Sequence, residues 1–203
     1  MRIYLTAGSS NLDFSVFYEL EPYLFHTVSR RFAEEHVLNA MDFFCIVIWK
    51  ANRSKSKVAR RLMASGRYST LDDAARALTS TIATAAMPKD RLHILIKGWG
   101  FRLPMASAIA TVLYPDDFTV YDVRVCDMLC DFHGLAHIIN YDHLWDGYAK
   151  YLVAVQRAAP RELSLREKDR WLWGKSFHDE LLQDIAEGFA DAKPAREIDA
   201  IVS

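Results

Sequence analysis

Lys97-Gly98-Trp99-Gly100 closes one apolar segment, Pro104-Met105-Ala106-Ser107-Ala108-Ile109 opens the next, and Val120-Tyr121-Asp122-Val123-Arg124-Val125 follows a Pro115-Asp116-Asp117 turn. A glycine pair at such a junction lets the backbone take positive φ and approach a ligand closely. The helix that starts behind it offers unpaired N–H groups and a positive dipole end, which suit a phosphate oxygen. Asp122 stands 16 residues beyond Ala106, among β-branched and aromatic neighbours. Ahead of a helix it is a preferred N-cap, and a capped carboxylate is also a fixed one, ready to stabilise charge or orient water. The same glycines equally suit a plain helix stop and a tight turn, and Asp122 a plain cap.

Outward from this stretch, helical periodicity dominates. Phe17, Leu20, Leu24, Val28 and Phe32 place a helix over about 12–36, with Pro22 expected to interrupt or kink it. Residues 39–50 carry the run from Phe43 to Trp49, and Asn39 as N-cap with Asp42 in the first turn favours a buried helix over a strand. A helix over 55–64 stops at Ser65-Gly66, and Thr70 with Asp73 opens another through a capping box. Pro88 starts a helix broken by Gly98 and Gly100, and Leu103 to Tyr114 forms an Ala-rich apolar helix. Phe118 to Tyr121 is extended, and Asp122 begins the next helix. Tyr141 to Ala158 is amphipathic. Ser164 and Glu167 box the start of a helix that Gly174 is expected to end, with a further helix over Phe177 to Phe189. Helix follows helix with short connections, so the class is all-α, a multi-helix bundle. The sequence predicts one helical domain over 1–192, divisible into two lobes with the hairpin lobe at about 39–135, and a polar tail over 193–203.

Composition narrows the function classes. At 203 residues, with 51% hydrophobic and 25% charged residues, the chain can bury a substantial core. A net charge of -1 supplies no global pull toward nucleic acid or anionic lipid, so any such surface must be local. One is present: between Asp42 and Asp72 no carboxylate occurs, while Lys50, Arg53, Lys55, Lys57, Arg60, Arg61 and Arg67 do, flanked by Trp49 and Tyr68. Cations beside aromatics suit phosphate contacts and base stacking, and also an ordinary solvated helix face. No apolar run is long enough for a membrane span, and Met1 to Leu5 is too short and mixed for a signal peptide. Cys45, Cys126 and Cys130 read as free thiols of a reducing cytoplasm. His133 and His137 have the spacing of two zinc ligands but no third partner in sequence, so no metal is expected. The Trp171 and Trp173 pair reads as core, with a dimerisation surface as the alternative.

The span from about Leu92 to Leu129 resembles the helix-hairpin-helix DNA glycosylase superfamily, the group of endonuclease III, adenine glycosylase and 8-oxoguanine glycosylase. Ile96-Lys97-Gly98-Trp99-Gly100 is similar to its hairpin, Ala106-Ser107-Ala108-Ile109 to the helix that follows, and Asp122 to its catalytic aspartate. Trp49-Lys50 with Arg53, and Ser164-Leu165-Arg166-Glu167 with Asp169-Arg170 and Leu172-Trp173, resemble a wider, uncharacterised bacterial group related to it. The resemblance implies a helix-hairpin-helix glycosylase-like bundle that binds double-stranded DNA and hydrolyses the N-glycosidic bond of a damaged or modified base. Implied DNA contacts are Lys97, Gly98, Trp99, Gly100, Arg102, Lys50, Arg53, Lys57 and Arg124, with Trp49 and Trp99 as stacking candidates.

Four departures shape that expectation. The hairpin is two residues longer, through Phe101-Arg102-Leu103, and Arg124 stands where a histidine is frequent. Pro104 falls at or near the position of the Schiff-base lysine, and proline forms no imine. The resemblance therefore implies a monofunctional enzyme, unless Lys97 or Lys50 reaches the site. Without a four-cysteine cluster no iron–sulfur cofactor is expected, although the hairpin leaves room for a monovalent cation. Two other readings remain open: a non-catalytic hairpin module that binds nucleic acid, and a helical protein-interaction scaffold. An enzyme needs Asp122 facing a pocket, a binder needs a basic face joining the hairpin to Lys50–Arg61, and a scaffold needs an exposed apolar patch.

Overall fold

A computed structural model describes residues 14–189. Among the described residues every regular element is helical. A 3₁₀ turn (Phe14–Phe17) leads into α1 (Leu20–Tyr23), which widens through a π turn (Leu24–Val28) into α2 (Ser29–Glu35). Pro22 does not break this helix. It lies in the first turn, where its missing N–H has no intrahelical partner to lose, and the interruption comes earlier, at Tyr18-Glu19.

Helix α3 (Ala40–Ala51) passes through a 3₁₀ turn (Asn52–Ser54) into the basic helix α4 (Lys55–Met63). Asn39 caps α3 by accepting the Asp42 N–H at 2.9 Å. Asp42, fully buried, accepts from the Tyr23 hydroxyl at 2.6 Å and from Arg31, which ties the first helices to α3. α5 (Leu71–Thr84) opens with the Thr70–Asp73 capping box, and α6 (Pro88–His93) has proline in its first turn. A second π turn (Ile94–Gly98) precedes α7 (Leu103–Leu113). All eleven α7 residues are buried, which makes it the central helix and explains the small side chains from Ala106 to Ala108. α8 (Val123–Leu129), a 3₁₀ turn (Leu135–His137), α9 (Tyr141–Ala158) and α10 (Leu165–Ala186) complete the described chain.

α3 packs on α4, α5 and α7, while α8, α9 and α10 pack on one another. One hydrophobic core runs from Leu24 to Leu172 and joins both groups. α10 differs from expectation. Gly174 does not stop it, because the helix continues as one 22-residue rod from the Ser164–Glu167 box. Trp171 and Trp173 are also not core: they are 40% and 43% exposed on that rod, because Leu172 and Ser176 carry its buried face. No described helix is long and apolar enough to cross a membrane. The expected tail over 193–203 lies outside the described residues.

Candidate functional site

The residues from Phe118 to Asp122 form no regular element, yet Phe118 to Tyr121 are buried. Their backbone groups therefore need side-chain partners. Thr119 exchanges hydrogen bonds with Tyr148, which donates its hydroxyl to the Thr119 carbonyl at 2.6 Å. Tyr151 donates its hydroxyl to the Val120 carbonyl at 2.9 Å. The Tyr121 N–H donates to Ser107 Oγ of α7 at 2.9 Å. Two α9 tyrosines and one α7 serine thus hold the extended segment and deliver Asp122 to the start of α8.

Asp122 has a divided carboxylate. One oxygen accepts the Arg124 N–H at 3.0 Å as the N-cap of α8. The other accepts from Lys50 Nζ at 2.7 Å, and the two side chains are only 13% and 7% exposed. Burial alone would raise the Asp122 pKa, but the Lys50 ammonium and the Arg124 N–H outweigh it and hold the carboxyl below the usual carboxylate range. Lys50 belongs to the last turn of α3, where a cation also meets the negative end of the helix dipole.

Lys50 and Asp122 line a cavity of about 510 Å³ together with Trp49, Arg166, Asp169 and Trp173. Glu21 and Arg170 stand at the same cavity. Arg166 donates to Asp169 and, at 2.8 Å, to Glu21, which Arg170 approaches at 3.1 Å. The Arg166 guanidinium also lies over Phe25 at 4.7 Å and Trp49 at 5.1 Å, and its Nε, buried, has no hydrogen-bond partner. Asp169 is 3% exposed. Burial pushes its carboxyl up to about 6, against the pull of Arg166 and Lys50 and with the Asp122 charge adding to the rise. Of the three carboxyls at the cavity, Asp122 and Asp169 therefore have opposite tendencies.

Sequence reasoning singled out Trp49, Lys50 and Asp122, and the structure brings these together. It passed over Asp169, Glu21 and Trp173 as site residues. A signal was available: the Ser164–Glu167 box sets the start of α10, and Arg166, Asp169, Arg170 and Trp173 then fall at i, i+3, i+4 and i+7 on one face.

The other expected residues take different places. Lys50 is no surface phosphate contact, since its ammonium is buried against Asp122. Arg124 is bonded to Glu180 and lies over Trp173 and Phe177, so it braces α8 against α10. Trp99 stacks on Tyr68 at 5.6 Å, Lys97 donates to the Ile139 carbonyl at 2.9 Å, and neither lines the cavity. Gly100 has φ +72°, the left-handed backbone a turn at this point requires, while Gly98 does not. A side chain on Gly100 would point toward Arg61, 3.9 Å away, and Arg61 lies 5.8 Å from the Phe101 ring. The glycine turn therefore abuts the basic helix α4. Lys57 on α4, Arg53 in the preceding turn and Arg102 beside the hairpin are all exposed.

His133 pairs with Asp127 at 2.9 Å, and no group of three metal-ligating side chains occurs among the described residues. Cys45 and Cys126 are buried thiols and Cys130 an exposed one. No family model, curated protein or solved structure matches the chain.

Proposed function

We propose that the protein is a DNA N-glycosylase that hydrolyses the bond between deoxyribose and an altered base in duplex DNA. The observation that carries this reading is the capped Asp122 carboxylate, kept ionised at the wall of a cavity large enough for a flipped-out base. Breaking an N-glycosidic bond builds positive charge on the sugar. A preorganised carboxylate in a largely desolvated site stabilises that charge without reorganising and orients the attacking water. The Trp49 and Trp173 side chains at the cavity supply aromatic surface for a base. Arg61 lies beside the glycine turn, whose Trp99 and Phe101 N–H groups donate to the Ile94 and Leu95 carbonyls, so attraction for phosphates at this surface comes from the cationic side chains of α4.

Incubation with duplexes carrying a panel of altered bases, followed by hot alkali, tests this reading. Strand breaks with wild type and none with Asp122→Asn are expected. Absence of duplex binding at low salt overturns both this reading and a purely DNA-binding one.

A second reading, in which the enzyme also cleaves the strand, is favoured by one contact: Lys50 Nζ stands 2.7 Å from Asp122 Oδ2, in the same cavity. Borohydride trapping on a duplex with a preformed abasic site separates the two. A covalent adduct at Lys50 marks a lyase, and no adduct marks a hydrolytic enzyme only.

A further inference from the structure

Trp171, Phe177, Leu181, Leu182 and Ile185 of α10, with Phe189 just past its end, are 38–57% exposed. At 100° per residue they gather on the side of the rod opposite Leu172 and Ser176, its buried positions. Trp173 lies off this side, at the cavity. α10 packs on α8 and α9 only along its buried side. Six large apolar side chains, each about half exposed, present roughly 600 Å². That is the larger part of the about 800 Å² that one partner brings to a standard interface.

Gly174 lies on the same side. A Cβ there would meet nothing within 4 Å, and its backbone is helical. No contact among the described residues therefore requires a glycine, which weakens the helix. A second helix crossing close to this point does require one. The face also matches itself. Turned end for end, a second α10 sets its Ile185 over Gly174, its Phe189 beside Trp171 and its Leu181 beside Phe177. The edges agree: Arg170 shares one edge with Asp184, and Lys175 shares the other with Asp179, so antiparallel copies bring cation toward acid on both. Arg170 and Lys175 also hold Glu21 and Asp179 of their own chain, so these charges set the register while the apolar face supplies the attraction. Lipid is a poor occupant, because Asp179, Asp184 and Glu187 border the face and repel anionic headgroups.

We propose that α10 is the interface of an antiparallel, two-fold symmetric homodimer, in which Gly174 of each copy receives Ile185 of the other. The same patch serves both copies, so one pair closes the assembly. The proposal stands independently of the glycosylase reading.

Sedimentation velocity of the full chain over a range of concentrations tests it. Wild type is expected to form a dimer. Leu181→Glu combined with Ile185→Glu puts charge on an exposed face and is expected to weaken association by about 100-fold or more. Far-UV circular dichroism shows whether this variant remains folded. Gly174→Leu fills the gap with a better helix former, so it is expected to weaken the dimer while leaving the monomer at least as helical. A Cys130→Ser background removes the exposed thiol. In that background Gly174→Cys combined with Ile185→Cys is expected to form a disulfide between copies. The two positions are about 16 Å apart within one helix, too far for an internal bridge. Neither single variant should cross-link. A wild type that stays monomeric overturns the proposal, and its flotation with phosphatidylserine vesicles would assign the face to lipid instead. A dimer that survives the paired glutamates overturns it by placing the interface elsewhere. A cross-link in either single variant overturns the antiparallel arrangement.

Discussion

Lys50 and Asp122, 72 residues apart in sequence, meet at 2.7 Å with both side chains largely buried at the cavity wall. A buried pair of this kind costs desolvation that its mutual attraction offsets, so its parts are worth more together than either is alone. Lys50→Met leaves a buried anion without its partner and is expected to cost about 3–5 kcal/mol. Lys50→Met combined with Asp122→Asn removes both charges and should be more stable than Lys50→Met alone. Urea unfolding of the single and double variants measures the difference, and strict additivity would show that the pair is not coupled.

Asp122 and Asp169 should pull stability in opposite directions with pH. Asp122 is held below its unfolded value, so its contribution is present above about pH 4 and is lost as pH falls through its folded value. Asp169 is raised to about 6, so its contribution is present below about pH 4 and is lost as pH rises toward 6. Asp169→Asn should therefore gain on wild type by about 2 kcal/mol between pH 4 and pH 7. Urea midpoints across that range give the comparison, and parallel curves would remove Asp169 from the account.

Ser107 holds the segment that carries Asp122. Ser107→Ala leaves the buried Tyr121 N–H without its acceptor and is expected to cost about 1–3 kcal/mol. It should also slow base release more than an equally destabilising change at Leu78, which is buried in α5 far along the chain from this segment. Matching the two variants for unfolding midpoint before measuring rates separates positioning from stability.

The two hairpin glycines should respond differently. Gly100→Ala forces a side chain into left-handed backbone and should cost about 1–2 kcal/mol. Gly98→Ala meets only the Ile94 side chain, at 4.0 Å, and should cost less than Gly100→Ala. Thermal unfolding of both variants decides this, with equal losses counting against the turn geometry.

Lys57 is exposed on α4. Lys57→Ala should weaken binding to all duplexes alike and reduce the slope of log affinity against log salt by about one. Fluorescence anisotropy at several salt concentrations reads both quantities, and an unchanged slope would take α4 out of the phosphate-binding surface.

The all-helical class was legible because its signals are local. Capping residues and helical periodicity predicted α3, α5, α7 and α9 closely, and Pro88 the start of α6, since each depends on neighbours within a turn or two. Where two local signals compete, the outcome needs more than sequence. Gly174 is a weak helix former, but α8 and α9 packed along α10 carry the helix through it, and the register they impose leaves Trp171 half-exposed and places Trp173 at the cavity.

Asp122 as a capping carboxylate could be read from the chain alone, because a cap is set by the residue and the helix after it. That its other oxygen meets Lys50, that Asp169 shares the same cavity, and that the glycine turn lies against α4 instead of lining that cavity were decided only by packing. Caps, turns and amphipathic faces are written in residues a few positions apart. A cavity is written in the crossing of helices whose residues stand far apart in the chain, and no local rule records where those helices cross.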